Sequence, residues 1–144
     1  MDDIEAIKQL KARYCRTMDT KDWAAYRQVF ADDVTMDTTD SGGNVITGAD
    51  DFLAFLTETL RDVVTVHHCH TPEIDVTSPT EASGVWAMED MLRFADGTEL
   101  HGFGHYHETY RNDGDGWRIA SSRLTRLRMD FTPAREAAPE TETA

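Results

Sequence analysis

The chain has 144 residues, of which 40% are hydrophobic, and this length allows one soluble domain with a sizeable core. Its net charge of −13 disfavours binding to nucleic acid or anionic membranes, and no apolar run reaches the length of a membrane span. The acidic start, Met1-Asp2-Asp3, lacks the basic and apolar regions of a signal peptide, so we expect a cytoplasmic protein. Cys15 and Cys69 are too few and too far apart in sequence for a disulfide framework or a zinc ribbon, and we expect both to be reduced.

The first sixty residues have the pattern of helices. Apolar side chains recur every three or four residues and predict a first helix that ends near Asp19; they are Ile4, Ile7, Leu10, Tyr14 and Met18. Asp22 can cap a second, short helix. A strand is predicted at 34–37, a loop at 40–44 and a third helix at 49–60.

Long strand-like segments follow the helices, separated by glycine-containing turns. They span about 65–76, 82–94, 99–111 and 117–130. This order predicts an α+β fold, in which three N-terminal helices pack on one face of a strongly curved mixed or antiparallel sheet and form a cone-shaped barrel with a pocket in its mouth. We assign residues 1–131 to the domain and expect the acidic tail, 132–144, to be disordered because it lacks large apolar side chains.

Several motifs resemble the SnoaL-like branch of the nuclear transport factor 2-like superfamily, in the order in which that branch has them. They lie at 4–10, 13–16, 19–23, 29–34, 116–119 and 124–127. Within this branch the chain resembles most the bile acid 7α-dehydratase group, and more distantly scytalone dehydratase and hexachlorocyclohexane dehydrochlorinase. The resemblance implies elimination of water or HCl without a cofactor, and a homo-oligomer, either a trimer or a dimer.

Matched position by position, the resemblance assigns catalytic roles to Tyr14, Asp19, His67, Asp90 and Arg126. A carboxylate that binds one imidazole nitrogen makes the other nitrogen a better base. Arginine can stabilise the negative charge that develops on an enolate or a leaving group. The residues alone leave one choice open, because strand alternation puts His67 and Cys69 on one face and His68 and His70 on the other without selecting the inner face.

Each of these residues also has a structural interpretation. Tyr14 lies on the apolar stripe of the first helix and can be a core tyrosine. Asp90, flanked by Met88 and Leu92 on its face of the strand, needs a partner in an apolar setting, and both His67 and Arg126 are candidates. Arg123 and Arg128 are more typical of surface ion pairs.

The remaining histidines suggest a less favoured alternative, a metal site built from His68 and His70 with His101, His105 and His107. The sequence has no compact ligand motif to support it. Gly102 and Gly104 are more typical of a bend in the sheet.

The sequence therefore predicts a cofactor-independent lyase, a dehydratase that acts on a hydrophobic, cyclic, steroid- or polyketide-like hydroxy-ketone. An isomerase, a cyclase or a dehydrohalogenase would use the same pocket and the same first step, the removal of a carbon-bound proton. A non-catalytic domain that binds small molecules is the alternative from another class, because one fold hosts many functions.

Overall fold

The computed structural model describes residues 1–135, and the rest of the predicted disordered tail, 136–144, lies outside the described residues. The helices are α1 (Asp3–Asp19), α2 (Trp23–Arg27) and α3 (Ala49–Thr59), and one turn of 3₁₀ helix spans Thr39–Ser41. The strands are β1 (Phe30–Asp37), β2 (Val45–Thr47), β3 (Val64–Val76), β4 (Glu81–Arg93), β5 (Glu99–Asn112) and β6 (Trp117–Thr132).

All six strands form one sheet in the order β2-β1-β6-β5-β4-β3. Strand β1 runs parallel to β6, and every other neighbouring pair is antiparallel, so the sheet is mixed. The three helices pack against this sheet, which confirms the predicted α+β plan.

The helix α1 forms where the sequence predicts it. The Asp2 carboxylate caps its start by accepting a hydrogen bond from the Glu5 backbone N–H at 2.8 Å. The predicted apolar stripe is buried from its second turn onward, at Ile7, Leu10, Tyr14 and Met18. Ile4, in the first turn, is 43% exposed and is not part of the core.

The β1–β2 region is where the structure differs most from the sequence prediction. Strand β1 begins at Phe30 rather than Val34, because Phe30 pairs with Ile119 of β6. Strand β2 was not predicted; its three residues are too few to show an alternating pattern, and it pairs with β1 through Thr47 and Val45.

Two features of the sheet position the site. Residues of β3, β4 and β5 alternate between the helix-facing side and the outer side, so His67 points inward and His68 outward. The pairing of β5 with β6 shifts register between Phe103 and Gly104, the region where the sequence predicts a bend in the sheet. A methyl group at Gly104 would overlap the Thr125 carbonyl, so only glycine allows β6 to approach this closely.

Among residues 1–135, no helix is both long enough and apolar enough to span a membrane.

Candidate active site

A cavity of about 220 Å³ lies between the helices and the inner face of the sheet. Much of its wall is apolar or aromatic and comes from Met18, Tyr26, Met36, Phe52, Leu60 and Leu124. Four of the five predicted site residues also line it: Tyr14, His67, Asp90 and Arg126. The fifth, Asp19, binds the ring of His67. The structure thus brings all five residues to the same place.

Asp19 and His67 form a closely held carboxylate–imidazole pair. Asp19 is the last residue of α1, and its Oδ1 lies 2.7 Å from the His67 Nδ1. The His67 backbone N–H donates to Asp19 Oδ2 at 2.8 Å, and the Thr65 hydroxyl donates to Oδ1 at 2.9 Å. These contacts hold the Asp19 carboxylate against β3. The other ring nitrogen of His67, Nε2, takes no part in them.

Asp90 binds Arg126 rather than His67, although it lies opposite His67 in the β3–β4 register. The Arg126 guanidinium donates to both oxygens of Asp90, at 2.8 and 2.9 Å, and both side chains are buried. Such a two-point contact is the strongest arrangement of these groups. A methyl group at Gly102 would overlap both side chains, so this glycine makes the room that the pair occupies.

Arg126 also holds the segment that covers one side of the cavity. Its Nε donates to the Ser41 hydroxyl at 2.8 Å, and its backbone N–H donates to the Asp40 carboxylate. Both acceptors belong to the 3₁₀ turn, and Ser41 lines the cavity. Arg126 therefore links the sheet, Asp90 and this turn.

Two phenols meet at the inner end of the cavity. The Tyr14 hydroxyl donates to the Tyr106 hydroxyl at 3.4 Å, and both side chains are 4% exposed. Burial is the main cause that raises the pKa of both groups well above the ordinary tyrosine value. Both phenols therefore remain protonated and able to donate a hydrogen bond.

A buried ion pair supports these two tyrosines from behind. The Lys11 ammonium lies 3.6 Å from the ring centroid of Tyr14 and 3.7 Å from that of Tyr106. It donates to Glu108 Oε2 at 2.8 Å, and Tyr110 donates to the other oxygen of Glu108 at 2.9 Å. Cation–π contact and hydrogen bonding thus fix the two rings in place.

The outer face carries the other histidines. Glu89 lies between His68 and His101, at 3.8 and 3.2 Å from their ring nitrogens. His105 and His107 are neighbours on β5, with ring centroids 6.3 Å apart. Within the described range 1–135, no group of three or more His, Cys, Asp or Glu side chains is placed to hold a metal ion.

Sequence reasoning missed several polar residues of the site, among them Thr65, Tyr106 and Ser41. Strand alternation could have identified two of them. Thr65 lies on the same face of β3 as His67, and Tyr106 lies on the same face of β5 as the buried Gly104. Ser41 had no such signal, since it lies in a turn whose position depends on contacts with β6.

The fold and the paired side chains define a small α+β cone with a polar site in an apolar cavity, the architecture of the nuclear transport factor 2-like superfamily. A model of the SnoaL-like domain matches residues 1–123. The chain belongs to the SnoaL-like domain family.

The similar proteins support this family assignment, and their names describe different activities. The chain is 30% identical over 137 residues to a Gibberella zeae protein named probable cyclase FGR4, with 84% of this chain and 89% of the relative aligned. A provisionally named scytalone dehydratase of Novosphingobium aromaticivorans superposes with a TM-score of 0.81 at 20% identity, covering 98% and 95% of the two chains. A type 2 hexachlorocyclohexane dehydrochlorinase (LinA) superposes with a TM-score of 0.81 at 14% identity, covering 94% and 93%.

These similarities confirm the predicted family and fold. The two superpositions, at such low identity, are evidence for the fold alone. The narrower resemblance to the bile acid 7α-dehydratase group stays a prediction.

Proposed function

We propose that this protein is a cofactor-independent lyase that eliminates water from a hydrophobic cyclic hydroxy-ketone. One observation carries the proposal: a partly buried carboxylate–imidazole pair, Asp19 and His67, adjoins an apolar cavity that the protonated phenols of Tyr14 and Tyr106 also line. Elimination next to a carbonyl needs a base for the carbon-bound proton and a hydrogen-bond donor for the developing oxyanion. The cavity provides both kinds of group, with His67 as the base and the phenols of Tyr14 and Tyr106 as donors.

His67 is the proposed base. With its Nδ1–H donated to Asp19, the lone pair of Nε2 is free to accept the proton next to the substrate carbonyl. The Asp19 carboxylate then stabilises the imidazolium that forms. The protonated ring can return the proton to the departing hydroxyl, so that the enzyme is regenerated and the products are the conjugated ketone and water.

Tyr14 and Tyr106 are the proposed donors to the substrate oxygen. Their hydroxyls lie 3.4 Å apart, so a carbonyl oxygen placed at hydrogen-bonding distance from both could accept from both once the Tyr14 O–H turns away from Tyr106. Because burial keeps both phenols protonated, each contributes a hydrogen bond that strengthens as charge develops on the oxygen.

Asp90 and Arg126 complete the proposed site as one neutral, hydrogen-bonding wall. Asp90 balances the charge of Arg126, and the contacts with Asp90 and Ser41 use three of the five guanidinium N–H groups. Two donors remain for the leaving hydroxyl or the enolate. In this arrangement Asp90 orients Arg126 and does not itself act as a base.

The size of the cavity favours a compact substrate. At about 220 Å³ it lies below the roughly 300 Å³ at which pockets for drug-sized ligands begin. One or two rings fit this volume better than a four-ring steroid, which would require α3 or the 3₁₀ turn to move. We therefore place polyketide-like substrates ahead of steroid-like ones.

The proposal is tested with a panel of cyclic β-hydroxy-ketones of one to four rings. Elimination is followed by the ultraviolet absorbance of the conjugated product, and exchange of the proton next to the carbonyl is followed by NMR in D₂O with the corresponding ketones. The expected result is exchange and elimination by the wild type, with loss of both in His67→Ala. Ligand binding without exchange, equal in the wild type and the variant, would instead identify a non-catalytic binder.

A cyclase is the second candidate, and the relationship to the protein named probable cyclase FGR4 favours it. An intramolecular aldol closure begins with the same proton transfer to His67 but retains the carbon electrophile in the cavity. Cyclisation of an open-chain diketone without loss of water would favour this function over elimination.

Self-association is proposed from the exposed apolar side chains of the sheet. Val66 of β3 is 37% exposed, and Leu127 and Phe131, which share β6, are 75% and 62% exposed. We propose a homodimer or homotrimer, which sedimentation equilibrium would distinguish from a monomer.

A further inference from the structure

The two cysteines of this chain lie side by side in the fold. Cys15 on α1 and Cys69 on β3 are 54 positions apart in sequence, yet their sulfurs are 3.5 Å apart. Both are free thiols, and each is partly exposed. A disulfide bond is about 2.05 Å long, so bonding needs the sulfurs to approach by roughly 1.5 Å.

Both cysteines line a surface cavity that is separate from the active-site cavity except for a shared wall at His67. This thiol cavity, of about 350 Å³, is lined by Lys8, Lys11, Cys15, Cys69, His68 and His70, among others. None of the described residues that line it is acidic. Lys11 is paired with Glu108, so Lys8 is the lysine of this lining that remains for an anionic reagent.

The two thiols differ in reactivity. The hydrogen bond with Cys69 is the main cause that lowers the pKa of Cys15, and the nearby Lys11 ammonium acts in the same direction. The pKa of Cys69 is raised by the hydrogen bond that it shares with Cys15, which either thiol can donate, and by burial. Cys15 also lies one helical turn after Lys11 on α1, and on this placement it is assigned as the first nucleophile and Cys69 as the second.

We propose that Cys15 and Cys69 form a reversible dithiol–disulfide site that reacts with anionic, low-molecular-weight disulfides. The Cys15 thiolate attacks one sulfur of the reagent, the reagent S–S bond breaks, and one thiol leaves. Cys69 then loses its proton and attacks the Cys15 sulfur, which breaks the mixed disulfide and releases the second thiol. The protein is oxidised by two electrons, and one reagent disulfide is reduced to two thiols.

This site does not depend on the proposed lyase activity, and it lies beside the proposed catalytic residues. The new bond would join α1, which carries Asp19, to β3, which carries His67. Oxidation would therefore tie together the two elements that form the carboxylate–imidazole pair. It would also close a loop of about 54 residues and raise the melting temperature by roughly 5–15 °C.

The test uses the full chain and glutathione disulfide as the probe. The wild type is expected to lose the mass of two hydrogen atoms and both titratable thiols, to remain the same size under denaturing conditions, and to recover both thiols with dithiothreitol. Two retained thiols, a stable glutathione adduct on one cysteine, or a disulfide that links two chains would each overturn the proposal.

Single variants test the order of the steps. Cys69→Ser is expected to stop at a glutathione adduct on Cys15, whereas Cys15→Ser is expected to react at least about tenfold more slowly. Equal or reversed rates would overturn the assignment of Cys15 as the nucleophile. Alanine replaces serine at either position if circular dichroism shows that a serine variant does not fold.

Discussion

Adjacent residues of β3, His67 and His68, each lie near a carboxylate, and only His67 lines the candidate active-site cavity. The His67 side chain is 8% exposed and its Nδ1 lies 2.7 Å from Asp19. The His68 side chain is 54% exposed and its Nδ1 lies 3.8 Å from Glu89. The residue types are the same, and only the face of the strand differs.

The difference shows that burial and a second set of hydrogen bonds distinguish a site from a surface contact. Asp19 is held by three hydrogen bonds from β3, so its carboxylate cannot turn away from the imidazole. Glu89 is shared between two exposed histidines, and water competes for all three groups. A contact between a histidine and a carboxylate occurs on both faces of β3. Only the inner contact, that of His67, adjoins the candidate active-site cavity.

The largest expected effect comes from removing each histidine in turn. With a ketone that the wild type converts, His67→Ala should slow proton exchange and elimination by about 10²–10⁴-fold, because the base is lost. His68→Ala should change either rate by less than about twofold, since it removes only an exposed contact with Glu89. Rates are measured by NMR exchange and by absorbance. A similar loss in both variants would mean that the inner face is not where the chemistry occurs.

The next effect compares an inner ion pair with an exposed one. Asp90→Asn leaves the buried Arg126 charge without a partner and should lower the free energy of unfolding by about 3–5 kcal/mol. Glu99→Gln breaks the pair with Arg93, whose side chain is 66% exposed, and should cost less than about 1 kcal/mol. Urea unfolding monitored by tryptophan fluorescence measures both. Equal losses would show that Asp90 is not buried with Arg126 as described.

The ionisation of the tyrosines tests the burial of side chains on the inner side of the sheet. All four tyrosines have a pKa raised mainly by burial: Tyr14, Tyr26, Tyr106 and Tyr110. In the unfolded chain they lose protons near about pH 10, while the folded chain keeps them, so stability is full below that pH and falls above it. Phenolate absorbance should therefore appear only together with unfolding. Gradual ionisation of a folded protein near pH 10 would contradict this.

Local patterns predicted most of the fold. The apolar stripe of α1 and the long alternating strands are properties of neighbouring residues, and they appear in the structure within a few positions. The parallel pairing of β1 with β6 was not predictable, because it joins Phe30 to Ile119 across most of the chain. Strand β2 was too short to produce a pattern.

The candidate site was predictable only in part. Alternation separated His67 from His68, but the packing of α1 on β3 decides which of them faces inward, and the sequence selected His67 only through its resemblance to a family. The choice of Arg126 as the partner of Asp90 depends on Gly102, which makes room for both side chains. The contact between Cys15 and Cys69 has no local signal at all.

The smallest expected effect concerns His107, which lies on the outer face but is partly buried. Burial, then Arg123 and His105, lower the pKa of His107 below the ordinary histidine value. Below about pH 6.5, His107 therefore binds a proton in the unfolded chain but not yet in the folded chain. The free energy of unfolding falls with decreasing pH until the pKa of His107 in the folded chain is passed. Arg123→Gln should raise this pKa towards its usual range, as followed by NMR of the ring protons, and should reduce the loss of stability between about pH 7.5 and 5 in urea unfolding. An unchanged pKa of His107 in this variant would mean that water screens the charge of Arg123 even at a partly buried position. Only the inner side of the sheet would then shift the pKa values of its titrating groups.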